Sequence, residues 1–200
     1  GLLVLWTLLI AFGYIFLKKD IFRLMRIVRE PTMLAFATAS SESAYPKTME
    51  ALDKFGVPKR ITSFVLPLGY SFNLDGSMMY MAFAVLFIAQ AYNIDLSFSQ
   101  QALILFTLMI TSKGIAGVSR ASIVVIASTL AMFKLPEAGI LLILAIDQFL
   151  DMGRTATNVI GNSIATAVIA RTEGNKDELT EQEGIMVNNI PPVNQLADNS

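Results

Sequence analysis

The sequence contains neither cysteine nor histidine, and it is short of charged residues. The two absent side chains exclude thiol and imidazole nucleophiles, disulfide bonds and the usual ligands of zinc. Charged residues make up 16% of the 200 residues, whereas a soluble domain typically has about 25%. Hydrophobic residues make up 54%, and the mean hydropathy is +0.58. The composition therefore indicates a membrane protein.

The charge balance and the start of the chain add two expectations. A formal net charge of −1 gives no reason to expect a nucleic-acid partner. The chain begins with Gly rather than Met, and hydrophobic residues follow without the charged segment that opens a signal peptide. We therefore expect the C-terminal piece of a longer membrane protein.

Hydropathy divides the first half of the chain into three segments. Residues 1–19 predict the end of a preceding transmembrane helix. Residues 20–60 predict a re-entrant hairpin, because their apolar parts are too short to cross a bilayer and a small-residue tip, TASSES, joins them. Residues 61–92 predict a transmembrane helix that the polar motif SFNLDGS breaks in the middle.

The second half repeats this order. Residues 98–135 predict a second re-entrant hairpin with the tip TSKGIAGVSRAS, and residues 138–171 predict a transmembrane helix with polar residues on one face. Residues 172–200 are polar and predict a disordered cytoplasmic tail. The expected fold is an all-α membrane protein. Its transport domain would consist of two inverted repeats, each a re-entrant helical hairpin followed by a transmembrane helix. The transmembrane helix of the first repeat would be broken. The alternative is that the two halves of the chain have similar hydropathy patterns by chance and are not repeats.

Basic residues indicate the orientation in the membrane. They flank the first hairpin and return at Arg171 and Lys176, whereas the turn after Tyr92 has none. By the positive-inside rule the first hairpin opens to the cytoplasm, the second opens to the outside and the C-terminus is cytoplasmic. We expect a multi-pass protein of the cytoplasmic (inner) membrane, with the lipid bilayer as a partner.

Polar residues interrupt the apolar segment 138–171, and we call six of them the polar stripe. They are Asp147, Asp151, Arg154, Thr155, Asn158 and Asn162. From Asp151 onwards they recur at i, i+3, i+4, i+7 and i+11, so they share one helix face. A charge at bilayer depth costs about 2.5–3.5 kcal/mol on insertion scales unless it meets a polar cavity or a partner. The polar stripe is therefore a candidate site; the alternative is an Asp–Arg pair that only joins two helices.

The charges of the polar stripe suit a zwitterion. Arg154 can clamp a carboxylate with its planar set of donors, and Asp151 can hold an ammonium group. The tip residues Ser40 and Ser41 stand where a new half-helix is expected, and amides at a helix start bind carboxylates. Together these groups fit an acidic amino acid. Asp147 admits two interpretations, a packing partner or a proton site.

The break and the second tip offer oxygen ligands for a hard cation. Asn73 and Asp75 supply side-chain oxygens, and an unwound helix supplies carbonyls, which suits Na⁺. The alternative is a glycine kink with capping Asn and Asp residues. In the second tip, carbonyls from Ser112 to Ile115 are available, and the long side chains of Lys113 and Arg120 are expected to face the water outside.

Four motifs resemble the dicarboxylate/amino acid:cation symporter family, which contains bacterial proton– or sodium–glutamate symporters and mammalian excitatory amino acid transporters. The motifs are SSESAYP, PLGYSFNLDGS, SKGIAGVSRAS and DMGRTATNVIGN, in the family's order. The resemblance implies a secondary symporter, not an enzyme, that couples uptake of glutamate or aspartate to H⁺ and/or Na⁺ by alternating access. It implies no other cofactor, and a homotrimer formed through a scaffold absent from this chain.

The resemblance also implies a substrate site and cation sites. The substrate residues would be Ser40, Ser41, Ser77, Val118, Asp151, Arg154, Thr155 and Asn158. The cation residues would be Gly69, Ser71, Asn73, Asp75, Ser112, Lys113, Ile115, Asn158 and Asn162.

Three positions depart from the family's pattern. Asn162 stands where sodium-coupled members generally have Asp, which favours proton coupling or fewer sodium ions. Leu74 stands where many members have Met, and Arg120 replaces a small residue of the second tip. Asp151, which the family's dicarboxylate carriers typically lack, favours glutamate or aspartate over succinate or fumarate.

Three other functions compete with this one. A C4-dicarboxylate:cation symporter is the nearest, and a channel is another. An intramembrane aspartyl enzyme would use Asp75 with Asp147 or Asp151 as an acid/base pair. Against the enzyme, the cation Arg154 beside Asp151 is ill suited to a dyad that shares one proton.

Overall fold

Helices form all the regular structure of the residues that the computed structural model describes, 1–113 and 120–188, with side chains described up to residue 174. The expected all-α class is thereby confirmed. The helices are α1 (Leu2–Leu17), α2 (Asp20–Ile27), α3 (Arg29–Thr38), α4 (Ser41–Phe55), α5 (Lys59–Phe72), α6 (Asp75–Ala91), α7 (Phe98–Thr111), α8 (Ala121–Met132) and, after a 3₁₀ turn at Glu137–Gly139, α9 (Ile140–Asn188).

The last helix is longer than the sequence predicts. It continues to Asn188 instead of ending at residue 171. The expected tail rested on polarity, which argues against a buried core but not against a helix, since Glu and Lys are good helix formers. The first proline after α9 begins stands at position 191. Residues 189–200 of the expected tail lie outside the described residues.

Helices α3 and α4 pack against each other, and the chain reverses between them at the first tip. Ala39 adopts a left-handed conformation with φ of 49°, and Ser40 begins α4 as its N-cap. The Ser40 hydroxyl accepts a hydrogen bond from the Ser43 amide at 3.4 Å. Gly56, with φ of 106°, ends α4 in a conformation that glycine adopts readily.

The predicted break divides α5 from α6 at Asn73 and Leu74. By length and composition, Lys59–Ala91 is the one helical stretch of the described residues that could cross a membrane. Helices α1, α7 and α8 are apolar but shorter. A Cβ atom on Gly76 would collide with the Arg154 carbonyl, so the start of α6 needs glycine to approach α9.

Helix α9 lies at the centre, in contact with α1, α3, α4, α5 and α6. One hydrophobic cluster covers its later part, where Ile160 and Ile164 pack with Leu66. A second cluster covers its start, where Ile143 packs with Met81 and other residues of α6, α7 and α8. Most of the polar stripe lies between the two clusters, so apolar packing on both sides positions a polar centre.

Candidate functional site

The polar stripe is buried along its whole length. Each of its six side chains is at most 4% exposed, including both aspartates and the arginine. Buried charges are retained only with partners, because removing an ion from water costs several kcal/mol. The contacts of the stripe therefore determine what it can bind.

Arg154 lies between two carboxylates. Its Nη1 is 3.3 Å from Oδ1 of Asp147, and its Nη2 is 2.9 Å from Oδ1 of Asp151. The guanidinium also lies over the ring of Tyr80, 4.2 Å from the ring centre, and the Tyr80 hydroxyl donates to Asp147 Oδ1 at 2.6 Å. A cation over an aromatic face is stabilised by the ring's quadrupole. The arginine is thus held by three groups from two helices.

Two atoms of this cluster lack a hydrogen bond among the described residues. They are Asp147 Oδ2 and Arg154 Nη2, both buried. Nη2 is within ion-pair distance of Asp151 but is not aligned for a hydrogen bond. A buried polar atom without a hydrogen bond costs about 1–3 kcal/mol. The site therefore keeps one donor and one acceptor that a ligand or a neighbouring side chain can satisfy.

The second tip reaches this cluster through Arg120. Its backbone amide donates to Asp151 Oδ2 at 2.7 Å, and its Nε is 3.9 Å from Asp147 Oδ2. Thr155 Oγ1 donates to Asp151 Oδ1 at 3.4 Å. The Arg120 side chain is 52% exposed, as expected, but its Nε also lies within ion-pair distance of the buried Asp147. The predicted site residues Ile115 and Val118 lie outside the described residues.

Asn158 joins the stripe to the start of α6. Its Oδ1 accepts from the amides of Gly76 (2.9 Å) and Ser77 (3.3 Å), and its Nδ2 donates to Ser77 Oγ at 3.0 Å. The first amides of a helix have no partner within the helix, so a side chain from another helix can satisfy them. The structure therefore brings together Ser77 and Asn158, which the sequence predicted as substrate residues.

The predicted cation residues of the break meet the later part of α9. Asn73 Nδ2 donates to Asn162 Oδ1 at 3.2 Å. A Cβ atom on Gly69 would collide with Asn162 Oδ1, and one on Gly161 would collide with Asp75 Oδ2. A cavity of about 690 Å³ opens beside Gly69, Asn73 and Asn162. The side-chain oxygens of Asn162 and Asp75 thus both lie at the contact between α9 and the interrupted helices.

Three further predicted cation residues occupy different surroundings. Ser71 is exposed at the end of α5. Ser112 is buried, with its hydroxyl 3.6 Å from the sulfur of Met78. The side chain of Lys113 is exposed, as expected, and its ammonium also reaches the break, where it donates to the Phe72 carbonyl at 2.6 Å. An ammonium of the chain thus lies where a carbonyl ligand for a bound cation was predicted.

The first tip lies on the same central helix. Ser41 is buried and Ser40 is half-buried. Below the tip, Ala35 of α3 and Ala44 of α4 pack against Val159, the neighbour of Asn158. Helices α3 and α4 therefore pack on α9 beside the polar stripe, and Arg120 and the break contact the stripe itself.

Sequence reasoning missed two side chains of the site. Tyr80 lies in the apolar part of α6, where a buried hydroxyl needs a polar partner. A tyrosine in such a segment could therefore have been recognised as a residue that contacts the polar stripe. Trp6 of α1 donates from Nε1 to Thr157 Oγ1 at 2.7 Å, which ties α1 to the back of the stripe. The periodicity of α9 could not reveal either contact, because both partners come from other helices.

Comparison with known proteins identifies the family of the chain. Residues 1–172 match the sequence model of the sodium:dicarboxylate symporter family. The proton/sodium-glutamate symport protein of Bacillus caldotenax is 52% identical over 159 residues, which are 80% of this chain and 38% of that protein. The proton/glutamate-aspartate symporter of Escherichia coli (strain K12) is 51% identical over 150 residues, 75% of this chain and 34% of that protein.

A relative with a different substrate in its name is also similar. The C4-dicarboxylate transport protein 1 of Mesorhizobium japonicum is 46% identical over 160 residues, 80% of this chain and 34% of that protein. The chain spans between 34% and 38% of the length of these three relatives. The match to the family model covers most of the chain and all four motifs found in the sequence. The chain belongs to the sodium:dicarboxylate symporter family.

Proposed function

We propose that this chain forms the substrate- and cation-binding part of a secondary symporter that takes up an acidic amino acid together with H⁺ and/or Na⁺. The observation that carries the proposal is Arg154, buried between Asp147 and Asp151 with Nη2 free of hydrogen bonds among the described residues. A buried guanidinium with a donor to spare is suited to a carboxylate ligand. The family is one of transporters, which excludes the aspartyl enzyme.

Each charge of an acidic amino acid has a counterpart in the site. Arg154 takes the side-chain carboxylate and Asp151 takes the ammonium group. The amides at the start of α4, beside Ser40 and Ser41, take the α-carboxylate. Four residues complete the pocket with hydroxyl, amide and apolar contacts. They are Ser77, Thr155, Asn158 and, from the second tip, Val118.

Two relatives with glutamate in their names share 52% and 51% identity with the chain, against 46% for the C4-dicarboxylate relative. The C4-dicarboxylate relative supports a second candidate function, a C4-dicarboxylate:cation symporter. Asp151 separates the two candidates, because a dicarboxylate has no ammonium group for it to bind. We therefore assign glutamate or aspartate first.

Coupling cations bind around the break. The proposed ligands are Gly69, Ser71, Asn73, Asp75, Asn158, Asn162 and the carbonyls of Ser112, Lys113 and Ile115. Two features reduce the need for bound Na⁺. The side chain of Asn162 is a neutral amide, and the Lys113 ammonium already supplies a positive charge at the Phe72 carbonyl. They support proton coupling or a small number of sodium ions.

The helical hairpins form two inverted repeats that act as the inner and outer gates of an alternating-access carrier. Large apolar side chains on α1, α7 and α9 are exposed, among them Leu3, Phe98 and Phe149. Such surface suits lipid or a neighbouring helix, not water. It supports a multi-pass protein of the inner membrane, with a cytoplasmic C-terminus, that assembles as a homotrimer through a scaffold outside this chain.

Uptake by the purified protein in liposomes tests this function. Labelled glutamate, aspartate and succinate are offered under a sodium gradient, under a proton gradient and without a gradient. We expect glutamate or aspartate to accumulate above equilibrium under at least one gradient. Succinate accumulation without glutamate uptake would establish the second candidate instead. Equilibration without accumulation under both gradients would identify a channel.

A further inference from the structure

The break leaves the end of α5 with carbonyl groups that have lost their usual helix partners. In an uninterrupted helix the Phe72 carbonyl would accept a hydrogen bond from the Gly76 amide. That amide donates instead to Oδ1 of Asn158 at 2.9 Å. Carbonyls at a helix C-terminus carry partial negative charge, which a cation stabilises. The last turn of α5 contains no basic residue of its own, so a cation at the Phe72 carbonyl has to come from elsewhere.

The chain itself supplies this cation from the end of α7. The Lys113 ammonium donates to the Phe72 carbonyl at 2.6 Å. Helix α7 fixes the backbone that carries it, because the Lys113 amide donates to the Ile110 carbonyl at 3.1 Å and the neighbouring Ser112 is buried. The ammonium is also close enough to Asp75, the first residue of α6, for the two charges to interact. One positive charge of the chain therefore lies beside a carbonyl and a carboxylate of the break.

A carbonyl and a carboxylate at an unwound helix are also groups that bind a coupling cation in transporters. An ammonium group carries the same charge as Na⁺ and donates hydrogen bonds to such oxygens. Because the ammonium is tethered, it reaches them without the loss of translational freedom that accompanies the binding of a free ion. An ion from solution would have to displace it. At this position the lysine is therefore both a competitor of a bound cation and a substitute for one.

The alternative role of Lys113 is that of an ordinary surface lysine. Its side chain is exposed, and an exposed charge that merely rests on a carbonyl contributes little to stability. The two roles differ in one measurable property. Removal of an ordinary surface lysine leaves the number of bound sodium ions unchanged, whereas removal of a substitute cation opens a place for a further ion.

We propose that the Lys113 ammonium is a built-in cation that takes the place of one coupling ion at the break. Its charge stays with the chain, so no ion from solution is required at the Phe72 carbonyl when substrate binds. The inference rests on the proposed function and identifies which part of its cation site the chain fills by itself. Removal of the charge should convert this position into a sodium site.

Calorimetry of the purified protein tests the proposal by counting sodium ions. The Kd of glutamate is measured at several NaCl concentrations, with choline chloride keeping the ionic strength constant. Below saturation, the slope of log Kd against the logarithm of the sodium concentration gives the number of sodium ions bound together with glutamate. We expect Lys113→Met, which keeps a long unbranched side chain without charge, to bind about one more sodium ion than the wild type. Without sodium its Kd should rise about tenfold, within the range usual for coupling between two sites, and saturating sodium should restore it.

Two further variants are the controls. Lys113→Arg keeps a cation at the break and should retain the wild-type slope. Lys134→Met removes an exposed lysine that follows α8, and it should change neither the slope nor Kd. A wild-type slope in Lys113→Met overturns the proposal. A Kd that rises equally at every sodium concentration also overturns it, because a contact would then be lost without the gain of an ion.

A measurement without substrate provides a second readout. An ion that binds the folded protein raises its Tm, so NaCl in place of choline chloride should raise the Tm of Lys113→Met more than that of the wild type. Equal Tm shifts in the two proteins would contradict the gain of an ion site. A wild-type protein that binds no acidic substrate would overturn the proposed function, and this inference with it. Normal wild-type binding, together with a Lys113→Met variant that matches the wild type in slope and in Tm, would overturn the inference alone.

Discussion

Arg154 is held by two carboxylates and an aromatic ring, and this surrounding limits how it can act. Its guanidinium contacts Asp147, Asp151 and Tyr80 within one buried cluster. We propose that a ligand carboxylate binds the Nη2 donor, which has no hydrogen bond among the described residues. Such a site discriminates by charge, because a ligand without a carboxylate cannot satisfy the guanidinium.

Truncation of this residue tests its role. We expect Arg154→Ala to abolish uptake of glutamate in liposomes and to admit neutral amino acids such as serine. Loss of the guanidinium also leaves two buried carboxylates without their cation, which destabilises the fold by about 3–5 kcal/mol. Arg154→Lys keeps a cation and is the control for folding. It should still lose most glutamate affinity, because an ammonium lacks the planar fork. Glutamate affinity equal to that of the wild type in Arg154→Lys would contradict the assignment.

Asp151 has two roles that a conservative substitution can separate. It accepts the Arg120 amide, and we propose that it binds the substrate ammonium. Asp151→Asn keeps an acceptor oxygen for the amide but removes the negative charge. We expect glutamate and aspartate uptake to fall by at least about 100-fold, the effect of losing a charge-assisted hydrogen bond of nearly 3 kcal/mol. Succinate uptake, measured in parallel, should fall far less. Normal glutamate uptake in Asp151→Asn would refute the assignment of the ammonium site.

At the scale of the helices, the close approach of α5 and α6 to α9 sets the geometry of the site. The interrupted α5–α6 pair lies so near α9 that three glycines, Gly69, Gly76 and Gly161, occupy positions where a Cβ atom would collide. Each of these glycines faces a residue of the site or its backbone. The glycines therefore let the residues around the break approach α9 closely.

A methyl group at one of these contacts should disturb the proposed cation site. Gly161→Ala directs a Cβ atom at the Asp75 carboxylate, which must then move. We expect the cation concentration for half-maximal uptake to rise about tenfold, as for the loss of one charge-assisted contact of about 1.4 kcal/mol. Gly174→Ala is the matched control in the same helix, because nothing lies within 4 Å of the added atom. Its uptake should be unchanged. Equal cation dependence in the two variants would exclude Asp75 from the cation site.

At the scale of the whole molecule, the first hairpin, the break and Arg120 approach one central helix. Apolar packing on both sides of the polar stripe encloses a row of charges and amides that lipid alone could not accommodate. The proposed carrier, with a gate on each side, requires the first hairpin and the turn after Tyr92 to lie on opposite sides of the membrane.

The natural absence of cysteine makes that orientation directly measurable. Single cysteines are introduced at Asp95, in the turn after α6, and at Lys18, after α1. We expect a membrane-impermeant maleimide to label Asp95→Cys on intact cells and to label Lys18→Cys only after the membrane is opened, since basic residues stay in the cytoplasm. Labelling of both on intact cells would contradict the proposed topology. The unsubstituted protein is the control for background labelling.

Much of this architecture was predictable from local sequence patterns. The break at Asn73 and Leu74 was expected from SFNLDGS, and the family was identified from four motifs that the comparisons confirm. The shared face of the polar stripe followed from helical spacing. These features depend on residues close together in the chain, so periodicity and turn-forming residues indicate them.

Pairing between helices was decided only by the tertiary structure. The sequence left Asp147 open between packing and proton transfer, and it expected Arg120 and Lys113 to face water. In the fold, Asp147 pairs with Arg154 and accepts from Tyr80, and the two basic residues are exposed but also contact Asp147 and the Phe72 carbonyl. By itself the sequence determined the all-α class, the break and the polar face of α9, because those properties depend on residues close together in the chain. Which charge neutralises which depends on distances between separate helices, and only their packing sets those distances.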